Sequence, residues 1–169
     1  MLKRLAQIDL MGVRFALNIF VASTLLWLIL RELERLNPIW AISSMIAASD
    51  PTVEQAKKFF YGRIVNGLIG CAIGLLVLFV GGASDWKVPI ALSASALISI
   101  YVARVPVMWR QAPITATIVV AAGLAEQSTK YGMHEGVKRV VDVLLGCAVG
   151  LAVTVLMSRI WKEPVPPPE

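Results

Sequence analysis

The residues with chemical potential in this chain are few and sit among apolar neighbours. Arg63 and Arg139 each open a long apolar run, at opposite faces of the membrane on the reading developed below. A guanidinium at each mouth can attract or hold a carboxylate through charge-assisted hydrogen bonds. Snorkelling with local pairing is the competing explanation, since Arg139 has Asp142 one turn along. Asn66 takes that acid's place beside Arg63, which makes Arg63 the stronger anion candidate. Arg104 and Arg110, with Trp109 between them, form a basic loop. They are either an anion-attracting vestibule or a cluster placed by membrane orientation alone.

Trp40, Ser43, Ser44 and Ala47 fall on one helical face at i, i+3, i+4, i+7 spacing. A ring beside hydroxyls suits an aromatic, hydrogen-bonding solute. Equally, Trp40 is an interfacial anchor whose serines bond back to the helix backbone. Thr115 stands in Trp40's place in a matching later segment and joins the same candidate substrate path.

Enzyme signatures are absent: there is no nucleophile elbow, Walker loop, dinucleotide fingerprint or His-Glu metal motif. The single histidine, His134 in Gly132-Met-His-Glu-Gly136, reads as an exposed loop residue, and Cys71 and Cys147 lie in apolar runs as small hydrophobes. No catalytic residue, metal site or cofactor is expected.

Elements of the right length must position these residues. Of 169 residues, 57% are hydrophobic and 16% charged, with mean hydropathy +0.73. A soluble domain of this size carries about 25% charged residues and cannot hide such an apolar excess. The composition excludes an ordinary soluble enzyme, a disordered chain and a disulfide scaffold. The net charge of +5 is spread in short clusters between apolar runs, unlike the one basic face of a nucleic-acid binder, so no nucleic-acid partner is expected.

Stretches free of Asp, Glu, Lys and Arg run over Phe15–Leu30, Leu36–Ser49, Ile64–Ser84, Val88–Ala103, Gln111–Ala125 and Val143–Ser158. A spanning helix needs about 20 residues, so only the third is comfortably long, and the others need snorkelling flanks. Six spans within a single membrane domain over residues 1–162 are the expectation, with the second and fifth the weakest. The basic N-terminus reads as a retained first helix, not a cleaved signal. Residues 163–169, rich in proline, read as a disordered tail.

With six spans and an internal N-terminus, ten of the sixteen Lys and Arg residues fall on the cytoplasmic side and six outside. Both termini are therefore placed in the cytoplasm. Trp40 and Trp86 then lie at the outer interface, and Phe59, Phe60, Tyr61, Trp109 and Trp161 at the inner one. If the second and fifth segments do not span, the same charges favour the reverse orientation.

An offset of 76 residues reveals a repeat. Arg63-Ile-Val-Asn-Gly-Leu-Ile-Gly-Cys-Ala-Ile-Gly-Leu-Leu-Val77 matches Arg139-Val-Val-Asp-Val-Leu-Leu-Gly-Cys-Ala-Val-Gly-Leu-Ala-Val153 at nine of fifteen positions. Pro38-Ile-Trp-Ala41 lies near Pro113-Ile-Thr-Ala116, offset by 75. The expected fold is thus an all-α integral membrane protein of six transmembrane helices, arranged as two inverted three-helix repeats over about 9–80 and 86–158. An odd number of spans per copy forces opposite orientations, as in many transporters. Short or Pro-interrupted segments in matched positions mark the substrate site of such folds; ordinary short helices in a locally thin bilayer are the alternative. Gly67, Gly70, Gly74, Gly146 and Gly150 give small-residue faces for close helix packing, and Ser95 and Ser99 serve similarly.

Pro38-Ile-Trp40-Ala41, Asp50-Pro51-Thr52 and Arg63-x-x-x-Gly67-x-x-Gly70-x-x-x-Gly74 together resemble the membrane half of the fusaric acid resistance/aromatic acid exporter superfamily, over roughly residues 10–160. Asn66-Gly67 departs from the Gly-Thr pair expected in the motif. The large cytoplasmic domain and the second helix set of many members are missing. The resemblance implies a homodimer in the bacterial inner membrane that passes organic anions, and a periplasmic adaptor protein as a partner.

Three functions compete on this reading. The first is export of aromatic or related organic acids driven by the proton gradient. The second is an organic-anion channel, and the third a non-transporting membrane subunit that uses its glycine faces to bind a larger complex.

Overall fold

A computed structural model describes residues 2–32, 38–80, 84, 86–105 and 107–161, with side chains from residue 11 onward. The Pro-rich tail at 163–169 lies outside the described residues. Among the described residues the chain is all helix and no strand occurs. The elements are α1 (Leu2–Glu32), α2 (Pro38–Ala48), α3 (Val53–Phe79), α4 (Lys87–Leu97) continuing into a π-helical turn (Ile98–Val102), α5 (Gln111–Ala125) and α6 (Thr129–Ile160).

Local chemistry sets the boundaries. Pro38 starts α2 where a missing N–H costs no hydrogen bond. Before α3, the Asp50 carboxylate accepts from the Thr52 N–H and hydroxyl at 2.8 and 2.7 Å, turning the chain into the helix. The Ser128 hydroxyl accepts from the Tyr131 N–H at 3.3 Å and caps α6. His134 is exposed but lies within α6, not in a loop, because the helix begins at Thr129.

Among the described residues three helices are long and apolar enough to cross a membrane: Met11–Glu32 of α1, then α3 and α6. Pro38–Ala48, Lys87–Val102 and Gln111–Ala125 are shorter. The charge-free windows truncated the long helices. Lys57 and Lys58 are exposed within α3, and Glu54 pairs with Lys58 at 2.8 Å along the helix, so the charged flank stays helical. Arg63 therefore lies ten residues past Val53, and Arg139 ten past Thr129, about 15 Å inside each helix. Neither sits at a helix mouth.

The chain groups into two compact units, residues 1–60 with 145–169, and residues 61–144. In the first, Ala22, Leu26 and Leu30 of α1 share a buried cluster with Ala41 and Met45 of α2 and Val153 of α6. Gly146 admits the Ala41 carbonyl so closely that a Cβ would overlap it, and Gly150 faces the Met45 carbonyl. Cys147 lies against the Ser44 carbonyl, Sγ to O 3.7 Å. The face of α2 that meets this stripe is Ala41, Ser44, Met45 and Ala48; Trp40 and Ser43 are exposed. The spacing-based face of Trp40, Ser43, Ser44 and Ala47 is therefore rotated, because small residues seek the glycine stripe.

In the second unit, Gly70 plays the same part against the Ala112 carbonyl of α5, and Gly74 faces the Ala116 carbonyl. Leu78 lies against Gly132, Cys71 against Gly136, and Val143 against Gly67. Positions rise along α6 as they fall along α3, so these portions run antiparallel, with Asn66–Gly67 crossing near Asp142–Val143. Cys71, Leu78, Ala91, Ala116, Val119 and Val120 form the buried cluster there.

Candidate functional site

The crossing of α3 and α6 collects the ionisable side chains that the apolar runs would otherwise exclude. Arg63, Asn66, Arg139 and Asp142 are all buried within the second unit, with Thr115 of α5. Arg63 and Arg139 lie close enough for their like charges to repel, while the Asp142 carboxylate attracts Arg139. Two guanidiniums and one acid leave a local excess of positive charge. Charged side chains buried between apolar helices are costly.

Beside them Ile64, Gly67, Leu68, Thr115, Arg139 and Val143 line a cavity of about 10 Å³. That is room for roughly one water-sized group. Seating a larger solute there requires the helices to part.

Asn66 holds the end of the hairpin made by α4 and α5. Its amide nitrogen donates to the Gly62 carbonyl at 2.8 Å and to the Val107 carbonyl at 3.0 Å. Its amide oxygen accepts from the Ser99 hydroxyl, within the π-helical turn. Gly62 lies directly under the Val107 carbonyl. The break between the two short helices is thereby pinned beside Arg63, with its backbone carbonyl satisfied by a side chain. Ser99, expected as a packing residue, is one of these clamp partners. Asn66→Leu removes both donors and orphans a buried carbonyl and hydroxyl, so we expect a stability loss of about 2–3 kcal/mol, read by thermal unfolding in detergent.

The other candidates lie elsewhere. Trp40, Ser43 and Ser44 belong to the first unit, where the Ser44 hydroxyl donates to the Trp40 carbonyl at 2.8 Å. Arg104 and Arg110 are exposed on the segment between the π-helical turn and α5. Arg104 sits at φ 50°, and the Arg110 guanidinium lies 5.3 Å over the Trp109 ring.

Sequence reasoning missed Lys87, counted only as an outer loop charge. It is buried, its Nζ donates to the Leu78 carbonyl at 3.2 Å, and with Gln127, Ser128 and Thr129 it lines a cavity of about 260 Å³. A lysine heading the apolar face Ala91, Ser95 and Ser99 at four-residue intervals was the available signal.

The profile of fusaric acid resistance protein-like sequences matches residues 17–153. The chain belongs to the fusaric acid resistance protein-like family. The match takes in α2 to α5 entire, most of α1 and α6, and every candidate residue named above. Comparison with curated proteins and with solved structures gives no match. Family membership and the long apolar helices make this a multi-pass membrane protein of transporter type.

Proposed function

We propose that this fusaric acid resistance-like protein exports aromatic or related organic acid anions across a bacterial inner membrane. The observation that carries the reading is the burial of Arg63, Arg139 and Asp142 together in the interiors of α3 and α6. A neutral cytoplasm holds weak acids as anions, and neighbouring guanidiniums offer the forked N–H donors that suit a carboxylate. The pinned break at Val107 interrupts the helical backbone beside Arg63, as in transporters with interrupted helices.

An inverted repeat underlies this reading. Residues 66–76 and 142–152 show the same sequence of buried, half-buried and exposed positions. Gly70 and Gly146, equivalent in the 76-residue offset, each seat a carbonyl of a short helix. Those carbonyls belong to Ala112 and Ala41, an offset of 71, one turn away from the Pro-Ile alignment. In this arrangement all six segments are membrane-embedded, the third helix of each half seats the second helix of the other, and both termini are cytoplasmic. A homodimer and a periplasmic adaptor complete the proposed machinery.

Purified protein in liposomes tests the reading. Uptake of radiolabelled benzoate that follows an imposed pH gradient supports export. Voltage-driven anion current without proton coupling identifies a channel instead. No flux, with a stable complex to another membrane protein, identifies a scaffold.

A further inference from the structure

In the first unit, three buried polar side chains play no part in the site above. Arg14 is 2% exposed, Asn18 1% and Thr154 0%. All three guanidinium nitrogens of Arg14, both amide atoms of Asn18 and the Thr154 hydroxyl are buried without a hydrogen-bond partner among the described residues. Arg14 and Asn18 are one turn apart on a buried stripe of α1 that continues through Ala22, Leu26 and Leu30. Val153, the neighbour of Thr154, packs in the same cluster as Ala22 and Leu26. The stripe thus has an apolar end, fully packed, and a polar end with its hydrogen-bonding capacity unspent.

Such an end calls for an occupant. A guanidinium carries five N–H donors and no acceptor, so a buried one needs acceptors from elsewhere. A buried ion without a partner is among the costliest groups a fold can contain. We propose that Arg14, with Asn18 and Thr154, forms an oxyanion site that takes a carboxylate or phosphate group.

The second unit shows what the equivalent place looks like when satisfied. There α4 and the π-helical turn carry the stripe Lys87, Ala91, Ser95 and Ser99, buried at four-residue intervals and headed by a cation, as Arg14 heads the stripe of α1. Lys87 donates to the carbonyl of Leu78. The repeat offset of 76 that aligns Arg63 with Arg139 carries Leu78 onto Thr154. One unit thus answers its cation with a protein carbonyl. The other has a fork of five N–H donors, an amide and a hydroxyl, and among the described residues no protein acceptor engages the fork. That donor set matches the lone pairs of an oxyanion.

Two sources supply such a group. Arg14 immediately precedes the charge-free run Phe15–Leu30 of α1. Lipid phosphates and soluble acid anions both reach that level. The inference does not need the chain to transport anything.

The test is a thermal-unfolding titration of the full chain, purified in maltoside detergent with chloride as the sole starting anion. Sodium benzoate, sodium phosphate and short-chain phosphatidylglycerol are added at constant ionic strength, with phosphatidylcholine as control. At least one oxyanion is expected to raise the wild-type transition saturably, and Arg14→Gln to weaken its apparent Kd tenfold or more. In chloride alone Arg14→Gln is expected to unfold no lower than wild type, because it removes a stranded charge. A response to benzoate or phosphate assigns a soluble anion; a response to phosphatidylglycerol over phosphatidylcholine assigns a lipid. The Arg14-dependent shift persists in an Arg63→Gln background, which separates it from the transport site. If Arg14→Gln does not fold, Arg14→Lys, which keeps the charge and loses the fork, is expected to weaken binding in the same way. Equal shifts in wild type and variant, or no shift with any oxyanion, overturn the proposal.

Discussion

Alanine at Gly70 or at Gly146 is expected to cost this protein about 1–3 kcal/mol of stability at each site. Elsewhere a single methyl group on a helix is benign. Here it would meet the carbonyl of Ala112 or of Ala41, which cannot rotate away as a side chain can. The short helix must therefore shift off its groove, taking Thr115 with it in one unit and Met45 in the other. Leucine at either site would separate the helices. Gly12 has nothing within 4 Å of where its Cβ would stand, so Gly12→Ala should be neutral or stabilise by a few tenths of a kcal/mol. Thermal unfolding in detergent, with gel filtration to follow the state of association, reads all three. A Gly146→Ala protein as stable as wild type would contradict the close approach of α2 and α6.

Much of this was legible before any coordinates. The glycine spacing, the 76-residue offset and the apolar excess required close-packed membrane helices, and the family motif followed from Trp40-Ala41, Arg63 and the glycines. What sequence could not give was depth. Windows bounded by charged residues stop at Arg63 and at Asp142, one turn past Arg139, by construction, which puts both arginines at mouths. In the structure exposed Lys57 and Lys58 remain in α3, and the arginines fall deep inside the long helices. Period alone also misjudged α2. The stripe on α6 selects Ala41, Ser44, Met45 and Ala48, while the large Trp40 ring stays outside. Lys87, Arg14 and Asn18 were overlooked because a cation near the end of an apolar run reads as a loop charge. Only packing reveals that each heads a buried stripe.

Asp142→Asn is expected to be the most damaging single substitution at the helix crossing. It leaves two mutually repelling guanidiniums with the carboxylate that attracts Arg139 removed. Removing a carboxylate that attracts a buried guanidinium costs about 3 kcal/mol, the upper end for a buried polar group, because both groups are charged. Two consequences separate this from a general packing defect. Arg139→Gln on top of Asp142→Asn should recover much of the loss, because the repulsion between the two guanidiniums goes with it. Added benzoate should stabilise Asp142→Asn more than wild type, since its carboxylate takes the missing acid's place. Denaturant titrations of both variants, with and without benzoate, check the two together. Equal stabilisation of variant and wild type by benzoate would count against an anion seat at this crossing.

The central claim is that one organic carboxylate passes between Arg63 and Arg139. The most direct measurement is the initial rate of radiolabelled benzoate uptake into proteoliposomes under an imposed pH gradient, for wild type and single variants. Losing one charge-assisted contact, at about 1.5–3 kcal/mol, corresponds to roughly 10–100-fold. Arg63→Ala and Arg139→Ala should each slow uptake by about that factor, with reconstitution efficiency and oligomeric state unchanged, while Arg104→Ala, on the exposed segment, should retain most of the rate. Wild-type uptake rates in both Arg63→Ala and Arg139→Ala would contradict the account.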